Sequence, residues 1–352
     1  MDTLLHDLRY AGRSMLRTPG FSLATVLVLS FGIAATTATF AMVNTVLLRP
    51  LPFNEPDRLV QLFETYTVPG GSGRGSVSVP NYRDWREQTT SFEDLALASF
   101  TASANLQSGG EPERLAALSV GTNLFDVLQA RPLQGRALAE GDENVVVLSE
   151  ALWQRRFAGE AAVLGSSITL DGALYVVIGV MPASFRFPVE AGPAVDVWLP
   201  LQPGERQAQN RNSHAFRVVG RLKPGVSPEA AQTELRQVVA RLVEQFPSLE
   251  GRSAVVVPLR TVSLGSVRTP LLALLGAAAL LLLVACANAA NLLLARATVR
   301  NREVTIRAAL GATRARLVRQ FLMESAVLTV LAAVSGVMLA WWGSEAATAA
   351  TS

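Results

Sequence analysis

Three long apolar runs divide the chain. Phe21–Leu48 holds 28 residues without a charge, Leu271–Ala295 holds 25 and Ser325–Ser344 holds 20. A bilayer core about 30 Å thick needs about 20 helical residues to cross it. Each run therefore predicts a transmembrane helix, over 21–48, 269–295 and 321–344. Between the first two lie the 220 residues Arg49–Arg268, of ordinary soluble composition.

Within that stretch, strand-like and helix-like blocks alternate. Arg58–Glu64, Glu113–Val120, Val145–Leu148, Val195–Leu201, Ala215–Leu222 and Ala254–Leu259 read as strands. Ser167–Leu170 and Leu174–Val180 flank Asp171-Gly172, a hairpin signal. Asn81–Gln88 and Asn123–Leu128 read as short helices. Ser149 caps a helix to Phe157, and Ser227 with Pro228 opens a longer one to Phe246. Val68–Gly75 reads as a Gly/Ser loop. The pattern predicts an α-helical membrane protein with three transmembrane helices and a large α+β domain of two lobes. One lobe is expected over 53–130 plus 214–262, the other over 135–205.

Charge sets the orientation. Arg49–Arg268 carries 20 Arg and one Lys against 23 acidic residues, a net charge of −2. Arg296–Arg319 carries seven Arg and one Glu, a net charge of +6. Short Arg-rich loops stay in the cytoplasm, so segment 296–320 is expected inside and the large domain outside, in the periplasm of a bacterium. The overall charge of +3 comes from these membrane flanks and does not indicate a nucleic-acid surface. Residues 1–20 fit an amphipathic helix on the inner surface, its Arg9, Arg13 and Arg17 facing anionic lipid. Trp341 and Trp342 mark the outer end of the third span, as interfacial aromatics do.

Candidate chemistry is sparse. Cys286 is the only cysteine and lies in span two, while His6 and His214 are the only histidines. No His/Cys cluster with metal spacing follows, and no metal or cofactor is expected. A phosphate-cradling loop ends in Lys-Ser/Thr. The only lysine is Lys223, followed by Pro224. No catalytic constellation is expected either. Asn288 and Asn291, three apart in span two, and Glu324 at the inner end of span three are polar groups at membrane depth. They are expected to pack against other helices.

The run LLLVACANAANLLLARATVRNREVTIRAALGATRARLVRQFLMES, Leu281–Ser325, resembles the core of MacB/FtsX-type ABC transporter permeases. The likeness rests on Arg300, Arg302, Glu303, Arg307, Ala309, Leu310, Gly311, Ala312, Gln320, Glu324 and Ser325. The segments VPNYRDWREQTTSFEDLA, VVVLSEALWQRRFAG and LDGALYVVIGVMPASFRFP resemble the MacB-type periplasmic core domain. The opening LLHDLRYAGRSMLRTPGFSLATVLVLSFGI and the segment VNTVLLRPLPF look most like the duplicated permeases of this group found in acidobacteria. The resemblance implies an inner-membrane permease that transmits ATP-driven motion to its periplasmic domain, for export or efflux. It implies ATP bound by a cytoplasmic ABC ATPase on a partner subunit, docked on Arg300, Arg302, Glu303, Arg307, Leu310 and Gly311. It also implies a dimer or pairing with a second permease unit, with membrane lipid and a periplasmic adaptor as further partners. The family has a fourth span, so the tail 345–352 reads as a truncation. Two other readings stand beside the exporter: an FtsX-like regulatory transducer of periplasmic hydrolases, and a membrane-anchored binding or sensor module.

Overall fold

The computed structural model describes residues 19–44, 51–68, 71–107, 111–189, 194–265, 268–299 and 314–349. The chain forms two compact units: Pro50–Gly265, and the helices on either side of it.

The first lobe of Pro50–Gly265 is a four-stranded antiparallel sheet. Its strands are β1 (Leu59–Val68), β3 (Phe92–Ala98), β11 (Arg217–Leu222) and β12 (Arg252–Pro258), in the order β3-β11-β1-β12. Helix α2 (Val79–Gln88) joins β1 to β3, and α6 (Pro228–Gln245) joins β11 to β12. This is the βαββαβ pattern of the ferredoxin-like split unit, with everything from Ser99 to Phe216 inserted between its middle strands. Ser78 caps α2 by accepting from the Asn81 N–H, and Ser227 caps α6 by accepting from Ala230. Strand alternation sends Val60, Leu62, Leu95, Leu97 and Val218 toward Trp85, Leu235 and Val239 of the two helices. The outer edge of β12 is closed by Gln232 of α6. Its amide donates to Ala254 O at 2.8 Å and accepts from Val256 N–H at 2.7 Å, in the place of a neighbouring strand.

The second lobe is a closed ring of six strands: β4 (Ala102–Leu106), β5 (Glu113–Val120), β7 (Val145–Ser149), β8 (Ser167–Leu170), β9 (Ala173–Met181) and β10 (Val197–Pro200). Their order is β10-β7-β9-β8-β4-β5, and β5 closes the ring by pairing parallel with β10. Leu106, Leu115, Val146, Leu148 and Ile168 pack with Leu152 and Trp153 of α4 (Glu150–Phe157). A two-residue strand, β6 (Gln134–Gly135), borders β9.

Two expectations need correction. The lobe expected over 135–205 also takes β4 and β5, because β5 meets β3 through the single pair Ala98↔Val120 but runs beside β10 for four residues. The loop expected over Val68–Gly75 contains β2 (Gly71–Gly75), paired with the end of β1. The Tyr66 ring lies across this strand, and a Cβ at Gly73 would sit 2.5 Å from it. Glycine makes room for the ring, so the residue type that suggested a loop here serves a strand.

In the other unit, α1 (Pro19–Val43) packs against both α8 (Arg268–Val299) and α9 (Arg314–Ala349). Among the described residues, three segments are long and apolar enough to cross a bilayer: Pro19–Val43, Arg268–Ala295 and Leu322–Gly343. Small residues let the backbones approach, as helix association in lipid requires. Ser30 Oγ meets Ser335 Oγ at 2.7 Å and Ala332 O at 3.2 Å, while Thr36 donates to Ala278 O at 3.3 Å. Gly32 faces Ala285 and Leu282, and Gly336 faces Ile33. Leu23, Phe31, Leu280, Leu283, Val330 and Met338 stay exposed, available to lipid tails.

Gly336→Leu is expected to force α1 and α9 apart, since even a Cβ there would lie 2.9 Å from Ile33 Cβ and from Ser30 O. Overpacking of this kind costs about 1–3 kcal/mol. A thermal melt of the purified protein in detergent should show a lower midpoint. An unchanged midpoint would mean that the helices do not meet through this face.

Candidate functional site

The seam between the two lobes is aromatic. Phe125 of α3 (Leu124–Leu128) stacks near Phe185 and Trp198, with centroids 5.5 and 6.4 Å away, and Phe53 meets Phe185 edge-on at 6.1 Å. Ala96, Ala98, Val219 and Leu259 complete this core from the first lobe. Beside it opens a cleft of about 480 Å³, bordered by Val79, Tyr82, Leu97, Asn123, Leu138 and Leu201. Its volume falls in the range of small-ligand sites.

One wall of the cleft is a charge network that also seals the free edge of β3. Arg86 grips Asp94 with two bonds, at 2.6 and 2.9 Å. Asn123 donates to Asp94 at 2.6 Å and to Leu95 O at 2.8 Å, and the Tyr82 hydroxyl donates to Leu95 O at 2.9 Å. Burial alone would push the Asp94 carboxyl up. The Arg86, Asn123 and Leu95 N–H donors outweigh it and hold the group below the usual carboxylate range. Asp94 in turn holds Arg86 above its ordinary value, and burial raises the Tyr82 phenol. These groups spend their polar atoms on one another, so they shape the wall and form no acid–base or nucleophile pair.

A second network ties the returning chain to the first lobe. Glu64 is buried on β1 and accepts from the Asn81 amide at 2.9 Å, with His214 Nδ1 3.0 Å and Arg252 3.5 Å away. Arg211 bonds Asn81 Oδ1 at 2.7 Å and Asp84 at 2.5 Å, and lies 3.8 Å over the Phe246 ring. No group of three metal-ligating side chains occurs among the described residues.

The residues expected to couple to an ATPase, Arg300, Arg302, Glu303, Arg307, Leu310 and Gly311, lie outside the described residues. So does the amphipathic segment before Pro19. Of the polar residues in the spans, Glu324 is buried on α9. Asn288 and Asn291 are exposed on α8, whose buried positions Ala278, Ala285 and Ala289 occupy a different face. Small alanines, rather than the two amides, supply the packing of α8. Sequence reasoning missed the Asp94 and Arg221 networks. The signal available was a carboxylate and a guanidinium inside otherwise apolar strands.

Three helices long and apolar enough to span, with a two-lobed α+β domain between the first two, define a multi-pass membrane protein with a large extramembrane domain. The MacB-like periplasmic core domain family matches residues 22–238, and the FtsX-like permease C-terminal family matches residues 275–351. The chain belongs to the MacB/FtsX-type permeases of the bacterial inner membrane, with the domain Pro50–Gly265 on the periplasmic side. The macrolide export ATP-binding/permease protein MacB of Neisseria meningitidis is 25% identical over 355 residues, 96% of this chain and 52% of that protein. The Burkholderia pseudomallei protein of the same name is 26% identical over 228 residues, 63% of this chain and 34% of that protein. The chain thus spans about half or less of these curated relatives. Among solved structures, the periplasmic region of MacB from Actinobacillus actinomycetemcomitans gives a TM-score of 0.45 at 16% identity, covering 62% of this chain and 95% of that one. The extracellular domain of the noncanonic ABC-type transporter YknZ from Gram-positive bacteria gives 0.40 at 12% identity, covering 56% and 98%.

The Asp94 network makes a pH prediction. A carboxyl whose folded pKa is depressed contributes stability above its unfolded value, about 3.9, and loses it as pH falls through the folded value. Asp94→Ala is expected to cost about 1–3 kcal/mol at neutral pH, by leaving Arg86 and Asn123 without their acceptor. In denaturant titrations the gap between variant and parent should narrow as pH drops below the carboxylate range. A gap that stays constant through and below that range would show that the ion pair contributes nothing.

Proposed function

We propose that this chain is a permease subunit that carries motion from a cytoplasmic ABC ATPase to its periplasmic lobes, in the service of export. Membership of the MacB/FtsX-type family supports this reading most directly. The segment between spans two and three supports it further. Seven Arg and one Glu give that segment a net charge of +6, suited to an acidic groove on a partner. Glu303 stands four residues before Arg307, the spacing at which opposite charges pair along a helix. The relatives carry "ATP-binding/permease" in their name and are about twice to three times as long as the matched region. The sole lysine within these 352 residues precedes a proline and fits no phosphate-cradling loop, so we assign ATP binding to an ABC ATPase domain outside this segment.

Asn288 and Asn291 favour a second permease unit as a neighbour. Two amides on a lipid-facing surface have no water to bond, and a facing helix supplies partners at about 0.6–2 kcal/mol each. The name of the relatives points to macrolides as a class of cargo to test first.

The test is affinity capture of the full chain from native membranes in mild detergent. An ABC ATPase should co-purify, and Glu303→Lys should release it while the protein stays inserted and folded. Capture that brings down no ATPase from either form would end the exporter reading.

A further inference from the structure

Arg221 poses a problem that the proposed function has not used. It sits one residue before the end of β11, only 1% exposed. No described carboxylate forms an ion pair with it, and its Nη2 finds no acceptor. The nearby acids Glu55 and Glu93 are both taken by Arg58. A buried guanidinium without a counter-ion is costly, and an orphan buried donor calls for an explanation. An apolar side chain would fill the same space at no such expense.

What Arg221 does hold is informative. Its Nε donates to Val127 O, in the last turn of α3, at 2.7 Å, and Nη1 donates to Asn54 O at 3.1 Å. Asn54 belongs to the short segment between span one and β1. The Asn54 amide then donates to Gln129 Oε1 at 2.6 Å, just past the end of α3. Four residues on, Arg58 donates to Leu222 O at 2.8 Å, beside Arg221 on the same strand. Phe53 packs into the aromatic seam against Phe185. The segment that leads toward span two behaves likewise. Helix α7 (Leu259–Leu264) rests on the Pro56–Arg58 turn and on β1, and Leu259 enters the same aromatic core as Phe53 and Phe125.

We propose that Arg221 is a positioning residue that fastens the segment after span one to α3, making both of them one block with the seam between the lobes. Without it, the stretch Leu51–Arg58 would be a compliant tether. With it, a displacement entering at either membrane exit reaches Phe125, Phe185 and Trp198. The guanidinium's rigid fork of donors reaches two carbonyls on separate elements, which an apolar side chain could not do. This inference rests on the motion-transmitting reading for its purpose, but not for its test.

Hydrogen–deuterium exchange on the full chain in lipid nanodiscs provides that test. In Arg221→Met, amides of 51–58 and 124–130 should both exchange roughly tenfold faster or more, as loss of charge-assisted bonds implies. Amides of β12 and α6 should keep their parental rates. A merely structural role would loosen the whole domain uniformly, and that result would overturn the proposal, as would unchanged exchange in either segment. Asn54→Ala is the second arm, since it leaves Arg221 and the core intact. It should raise exchange in the same two segments by a smaller factor, and no change in both would also overturn the shared block. Neither result depends on whether an ATPase is captured.

Discussion

The aromatic packing between the two periplasmic lobes is the interaction on which the rest of the domain depends. The first lobe is a complete βαββαβ unit, and the second is a ring that closes on itself. Each has its own core. The joining core is different in kind. It draws Phe53 from the segment after span one, Phe125 from α3, Phe185 and Trp198 from the inserted ring, and Leu259 from the exit toward span two. Rings of this size bury large areas and prefer edge-on contacts, as seen at 74° for Phe53 with Phe185 and 68° for Phe185 with Trp198. Movement of one lobe on the other must therefore reorganise the same side chains that anchor both chain exits.

Much of this was legible in the sequence, and the misses share causes. The three spans follow from length alone. The caps Ser149 and Ser227 are local signals, and each side chain accepts the bond expected of it. Strand β3 escaped notice because Glu93 and Asp94 break its apolar run. Asp94 is tolerated there because Arg86 and Asn123 answer its charge from other elements. The division of the lobes was misjudged because β5 and β10, about 80 residues apart in sequence, pair in parallel. A non-local parallel pair leaves no mark on local periodicity. Arg221 was invisible for the same reason, since both of its acceptors are backbone carbonyls and any residue type provides those.

The membrane helices raise the opposite difficulty. Polar residues in lipid attract attention, yet the closest packing among α1, α8 and α9 is made by Gly32, Gly336, Ser30 and a row of alanines. In water, burial of large apolar side chains drives association. In lipid that drive disappears, and backbone proximity matters instead. Asn288 and Asn291 are therefore poor guides to how this chain packs on itself and better guides to what lies against it.

The insertion point of the second lobe bears on how motion could pass. The ring enters and leaves between β3, the edge strand of the first sheet, and its neighbour β11. Ala98 hands over to Val120 by one strand pair, Ser99 and Ser119 exchange bonds at 2.8 and 3.0 Å, and Leu201 N–H donates to Val120 O at 2.7 Å on the way back. So few backbone ties would make a loose joint if they acted alone. The aromatic core adds a second, side-chain joint across the same seam, and the two together restrict the ring to motions that keep both intact. A closed ring cannot shear internally without breaking strand pairs, so displacement delivered at the seam would move it as a body. The architecture suits a rigid arm worked from its base, and the chain places Arg221, a buried charge with no ion-pair partner among the described residues, at that base.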